Sequence, residues 1–139
     1  MKKTKLVLDT NILVYGINEE SKYYEEIRNL LESNQYSLFV TSKTISEFVS
    51  VLSKLGRYDV IEKELPLILS RFRIIYPNKR SIRIFQKLIK KYKPIGNRVF
   101  DMEIVSIMLS KKLKDLFSIN VRDFEDIEEI RLNEIYLVE

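Results

Sequence analysis

The amino-acid sequence predicts an α/β sandwich built around a mostly parallel sheet of about five strands. Three observations predict it. Short apolar runs alternate with longer segments of helical spacing along the whole chain. The first run, Lys5-Leu6-Val7-Leu8, is apolar without alternation, as suits a strand buried on both faces. Hydrophobic residues make up 45% of 139 residues, enough for a substantial core in one domain spanning 1–139, and no linker, repeat or low-complexity tract interrupts them.

Taken in order, the first strand ends at Asp9, and Thr10 or Asn11 caps a short helix through about Gly16. A helix over Ser21 to Ser33 places Tyr24, Ile27, Leu30 and Leu31 on one side. Tyr36 to Val40 is the second strand. Ser42 then reads as an N-cap, with Ile45, Phe48, Val49, Leu52 and Leu55 at helical spacing until Gly56 stops the helix. A helix from Asp59 to about Ser70 follows, disturbed at Pro66. Arg73 to Tyr76, before Pro77, is the third strand. Helices run over Lys79 to Tyr92 and Phe100 to Leu113. Leu116 to Ile119 and Glu134 to Val138 complete the strands, separated by a charged segment with one helical turn.

Composition removes whole classes of chemistry. The chain has no cysteine and no histidine, so disulfides, thiolate nucleophiles, Ser-His-Asp triads and imidazole metal ligands are excluded. Hydrolysis has to rest on carboxylates, lysines or a hard metal ion held by oxygen. The net charge of +4 permits a polyanionic partner without requiring one. No apolar run reaches the ~20 residues of a membrane span, and Asp9 breaks the first apolar run too early for a signal peptide, so the chain reads as cytoplasmic.

Three carboxylates stand out. Parallel strands place ligands beyond their carboxyl ends, which is where Asp9 sits. An ordinary cap or turn aspartate would also explain it. Asp101 falls on one helical stripe with Ile104, Val105 and Met108, in line with core-facing residues, and a buried carboxylate needs a hydrogen bond, a partner or a cation. A helix-start acid favoured by the dipole is the competing reading. Glu47 lies off the apolar stripe of its helix, as a solvent-facing glutamate would, but its helix starts beside the carboxyl edge of the sheet.

These residues resemble the motifs of a known family. Leu8-Asp9-Thr10-Asn11, then Thr41-Ser42 through Ser46-Glu47-Phe48, then Phe100-Asp101-Met102, are similar in order to the motifs of PIN domains, most of all the VapC-type toxins of prokaryotic toxin–antitoxin pairs. Ser118-Ile119-Asn120-Val121-Arg122-Asp123-Phe124 resembles the family's last motif. The resemblance implies a three-layer α/β/α PIN-like sandwich and a Mg²⁺- or Mn²⁺-dependent endoribonuclease. Asp9, Glu47 and Asp101 match its three central acidic positions, as catalytic residues and metal ligands. Thr10, Asn11 and Ser118 would support them. The fourth position departs from the pattern: Asn120 stands where some members carry an acid, with Asp123 three residues on, so either is a candidate ligand. The resemblance also implies an RNA substrate, a small antitoxin in a groove made by the early helices, and a homodimer. Tyr15, Tyr23 and Tyr24, beside those helices, are candidates to face a partner. A non-toxin PIN nuclease of RNA processing and a catalytically silent RNA- or protein-binding module remain alternatives.

From Lys79 to Arg98 there are eight basic residues and no acidic one. On the helix, Lys79, Arg83, Lys87, Lys90 and Lys91 form a charged side, and Ile82, Phe85, Leu88, Ile89 and Tyr92 an apolar one. A solvated amphipathic helix explains this pattern; a positive path toward Asp101, with Arg98, Lys87 and Lys91 contacting RNA, is the functional reading. The Lys111-Lys112-Lys114 cluster suits a helix carboxyl end without any ligand. A dehalogenase-type phosphotransferase is disfavoured because Asn11, not aspartate, follows two residues after Asp9, and no glycine-rich phosphate loop is present.

Overall fold

The computed structural model describes residues 2–133. Five strands, β1 (Thr4–Leu8), β2 (Tyr36–Thr41), β3 (Arg73–Ile75), β4 (Asp115–Phe117) and β5 (Arg131–Asn133), form one sheet in the order β3-β2-β1-β4-β5. Every pairing among them is parallel. The central position of β1 explains its unbroken apolar run: Leu6, Val7 and Leu8 are at most 1% exposed.

The alternation of a strand divides those residues between two cores. Leu6 and Leu8 join Ile12, Ile27, Val40, Phe48, Leu52, Ile61 and Phe72 on one face, beneath α1 (Thr10–Gly16), α2 (Tyr24–Glu32), α3 (Ser42–Lys54) and α4 (Tyr58–Arg71). Val7 joins Phe39, Ile75, Leu88, Met102, Val105, Met108, Leu116 and Phe124 on the other, beneath α5 (Lys79–Tyr92), α6 (Arg98–Ser110) and α7 (Val121–Phe124). Helices, sheet and helices make three layers. Among the described residues, no helix is long and apolar enough to cross a membrane.

Most departures from the sequence reading concern element ends. Asp9 itself caps α1, with its carboxylate accepting from Thr10 N, in place of Thr10 or Asn11. Likewise Thr41 caps α3, accepting from Thr44 N at 3.0 Å, and Ser42 is already helical. α2 begins at Tyr24, because Ser21 and Asn18 are used in turns before it. α4 continues through Pro66, which is exposed. α5 keeps its expected bounds, held by a reciprocal capping box between Asn78 and Ser81. On its faces, Ile82 is 61% exposed and Ile84 packs against the core instead; Leu55, at the end of α3, is likewise exposed. α6 starts two residues early and stops at Ser110, and β4 spans Asp115–Phe117, so Ser118 and Ile119 leave the strand. β5 occupies Arg131–Asn133, in register with Asp115–Phe117; the expected strand at 134–138 lies outside the described residues.

Candidate active site

The carboxyl ends of β1, β2 and β4 release the chain at one edge of the sheet, and the acidic side chains gather there. Asp9 follows β1 directly; its backbone N–H donates to Phe117 O at 3.0 Å, extending the β1–β4 ladder by one step. That bond aims its carboxylate at the first turn of α1, where Oδ1 accepts from Thr10 N at 2.8 Å. Oδ2 accepts from Ser118 Oγ at 2.7 Å and from Asn11 Nδ2 at 3.3 Å. Asp9 is only 5% exposed. Burial pushes its carboxyl pKa up, and the Ser118 and Thr10 donors pull against that.

Asn11 and Ser118 form the frame of this acid. Asn11 Nδ2 also lies 3.3 Å from Ser118 Oγ, while Asn11 Oδ1 accepts from Ile119 N. Ser118 Oγ in turn accepts from Asn120 N at 3.1 Å. A single network therefore ties the end of β1 to the segment after β4. Thr10 contributes its backbone N–H, but its Oγ1 is buried without a hydrogen-bond partner among the described residues.

Glu47 reaches the cleft from the second turn of α3. Its Oε1 is buried with no hydrogen-bond partner among the described residues, so the solvent-facing alternative does not describe it. Burial raises its pKa first, the Asp9 charge adds to that, and Lys43 opposes it. Asp101 enters from the first turn of α6. Burial, followed by the charges of Asp9, Asp123 and Glu47, pushes its carboxyl up to about 7, with Arg98 opposing. Asp9, Glu47, Asp101 and Asn120 line one cleft of about 290 Å³, with Tyr15, Val14 and Val51 on its walls. Asp123, on α7, acts on Asp9 and Asp101 through charge but does not line that cleft.

The donor set fits a hard divalent cation in its chemistry. It consists of carboxylate and amide oxygens, one of them an orphaned buried acceptor, in a group of like charges that raise one another's pKa. Among the described residues, no three acidic groups close around a common point tightly enough to enclose a metal by themselves. Magnesium tolerates this, because it keeps several waters and needs only one or two protein carboxylates.

The basic residues divide. Arg98 points its guanidinium at the α7 segment, donating from Nη2 to Asp126 Oδ1 at 2.9 Å and to Asp123 O at 3.2 Å, with a buried Nε that has no partner among the described residues. Lys91 is engaged by Glu128 and Glu129 at 3.2 and 3.1 Å, beside a Tyr92–Glu129 hydrogen bond. Lys87 is exposed on α5. The sequence reading missed Lys43, one turn ahead of Glu47, which lies over the Phe100 ring at 4.1 Å and 3.8 Å from Glu103. Its i, i+4 spacing to Glu47 was the available signal.

Comparison with known proteins agrees with this fold. The chain superposes on a chain of the VapBC2 complex of Rickettsia felis bound to a DNA fragment from their promoter, with a TM-score of 0.77 and 25% identity over 96% of this chain and 100% of that one. It is similarly matched to VapBC-1 of nontypeable Haemophilus influenzae, with a TM-score of 0.70 and 26% identity over 94% and 98% of the two chains. VapC20 of Mycobacterium tuberculosis, a toxin that cleaves the sarcin-ricin loop, shares the fold at a TM-score of 0.66 and 12% identity, over 80% and 86%. A comparison with curated proteins returned no match. The PIN domain profile matches residues 6–130, from the strand that delivers Asp9 to the end of the segment that carries Asn120 and Asp123. The chain belongs to the PIN domain family.

Proposed function

We propose that this protein is a metal-dependent endoribonuclease, the toxin of a VapBC-type toxin–antitoxin pair. One observation carries the catalytic part: four acids from four elements bear on one small region, with an orphaned Glu47 oxygen and, among the described residues, Lys43 and Arg98 as the offsetting cations. Such an arrangement is unfavourable in isolation and favourable around a cation.

In this reading Asp9 and Asp101 hold Mg²⁺ or Mn²⁺, and Glu47 completes the site directly or through water. Asn120 supplies a further oxygen from the cleft wall, or Asp123 acts through an intervening water. Bound there, the cation would lower the pKa of a water and stabilise charge on the phosphate during in-line displacement. The protein's own part is positioning. Ser118, Asn11 and Thr10 N fix both oxygens of Asp9. Arg98 steadies the α7 segment and moderates the charge on Asp101, with the exposed part of its guanidinium facing the phosphate path, and Lys87 extends the positive path along α5. Lys91 reaches RNA only by exchanging its glutamate partners.

The antitoxin has a suitable seat between α1, α2 and α4: a groove of about 350 Å³ lined by Leu13, Ile17, Leu31, Leu67, Ile68 and Phe72. The same reading makes the protein a cytoplasmic homodimer.

Cleavage of mixed RNA and single-stranded DNA with Mn²⁺, Mg²⁺ or EDTA tests the proposal. Wild type should cleave RNA only with metal, and Asp9→Asn and Asp101→Asn should each lose at least a hundredfold in rate. Equal cleavage by all three proteins, or cleavage that survives EDTA, sinks the mechanism. Cleavage without growth arrest on expression would move the protein from toxin to RNA processing.

A further inference from the structure

At the amino ends of β1, β4 and β5, remote from the acids, a depression of about 330 Å³ is lined by Lys3, Lys5, Lys112, Lys114 and Arg131, with Asp115 as the one acid in its wall. Asp115 is already taken: Arg131 Nε and Nη2 donate to its two oxygens at 2.9 Å each. The four lysines are exposed, and among the described residues none of them has an ion-pair partner.

The carboxyl end of α6 accounts for part of this charge, since cations suit a helix terminus. It does not account for Lys3 and Lys5, which arrive from β1, or for Lys114, which stands past the left-handed turn at Lys112 (φ 60°). Like charges from separate elements that face one hollow repel one another, and salt screens that repulsion only in part at short range. The backbone beneath them is fixed, with Arg131 N donating to Lys114 O at 2.7 Å. The amides of Lys111, Lys112 and Leu113 at the helix end are spent on the Met108 and Leu109 carbonyls, and no helix N-terminus lies among the lining residues to grip a single phosphate group. Dispersed, mobile ammonium groups suit a chain of phosphates instead.

We infer that this basic pole binds the phosphodiester backbone of a single-stranded nucleic acid. Asp101 stands nine residues before the end of α6 at Ser110, about 14 Å at 1.5 Å per residue, so one strand several nucleotides long can engage both ends of the molecule. The inference stands apart from cleavage, because anchoring at the pole needs no metal and no reaction.

The test is binding of a fluorescein-labelled 20-nucleotide RNA, and of DNA of the same sequence, to the full chain in EDTA. The pole variant is Lys3→Glu/Lys112→Glu/Lys114→Glu, with the milder triple glutamine as a second form. The control is Lys22→Glu/Lys54→Glu/Lys63→Glu, which removes the same charge elsewhere. The pole variant should bind both strands at least tenfold more weakly. The slope of log affinity against log salt should also fall by about 2, given ~0.7 per phosphate for single strands. The glutamine form should fall between it and wild type, and the control should change less than threefold. Equal losses in pole and control variants, or no measurable binding of wild type at low salt, would overturn the inference. Because the assay contains no metal, its outcome is independent of whether the acidic cleft cuts.

Discussion

The most exacting consequence of the acidic cleft is that removing one of its charges should make the metal-free protein more stable. Asp101 is held near 7 rather than its ordinary 3.8, chiefly by burial and then by three neighbouring carboxylates. At about 1.4 kcal/mol per pH unit, that gap corresponds to about 4 kcal/mol against the ionised form. Asp101 is only half-buried, and solvent screening reduces this to roughly 2 kcal/mol. No hydrogen bond to its carboxylate is formed among the described residues, so Asp101→Asn forfeits none. For a chain of this size 2 kcal/mol raises the melting temperature by roughly 6–8 °C.

The pH dependence separates this cause from any generic gain. An acid whose folded pKa is raised penalises folding only where the unfolded chain has lost the proton. The penalty begins near 3.8, grows with pH, and is complete above about 7. At pH 8 the variant should therefore exceed wild type by the full ~2 kcal/mol, and at pH 5 by less than half of that. Saturating Mn²⁺ should stabilise wild type and leave Asp101→Asn nearly unmoved, closing the gap. Scanning calorimetry at pH 5 and 8, with EDTA or Mn²⁺, measures all of this. A variant no more stable than wild type at pH 8, or equally favoured at both pH values, refutes the reasoning.

Ser118→Ala removes the 2.7 Å donor to buried Asp9 and should lower stability by about 2 kcal/mol in urea denaturation, more at pH 8 than at pH 5, since only the ionised carboxylate needs the donor. At Gly16→Ala the new Cβ would meet Ile27 Cγ2 at 3.0 Å, so the buried Ile27 has to give by a few tenths of an ångström; thermal melts should show a loss of about 1–2 kcal/mol, and in the double variant with Ile27→Ala, which deletes Cγ2, the total loss should be smaller than the sum of the two single losses. If residues 1–139 form one domain, far-ultraviolet circular dichroism and tyrosine fluorescence should trace a single coincident unfolding curve; two separated transitions would show otherwise.

Most of the fold was legible because its signals are local. The apolar run of β1, the stripes of α3 and α6 and the proline at position 77 each act within a few residues, and they placed the layers correctly. Errors fell where two local solutions are nearly equivalent. Thr41 and Ser42 are both good caps, and only the exit of β2 decides that Thr41 has the extended backbone a cap requires. Ile82 and Ile84 both lie within reach of the core face of α5, and the position of α6 selects Ile84.

Glu47 illustrates what a sequence pattern does not carry. Its place off the apolar stripe of α3 favours a solvent-facing side chain, and on an isolated helix that reading is correct. The structure buries its Oε1 because α6 crosses next to α3, bringing Phe100, Asp101 and Glu103 against the Lys43–Glu47 turn. Nothing within α3 encodes that neighbour, which lies more than 50 residues away in sequence. The same holds for Asn120 and Asp123: spacing could not rank them, while the placement of α7 puts the amide in the cleft wall and leaves the carboxylate to act through charge. Burial rules locate an acid that breaks them alone, as Asp101 does. When several acids break them together, each lowers the plausibility of the others as structural residues, because mutual repulsion adds to the desolvation of every one. The feature least explicable by folding is thus the convergence itself, and convergence is a property of the tertiary structure.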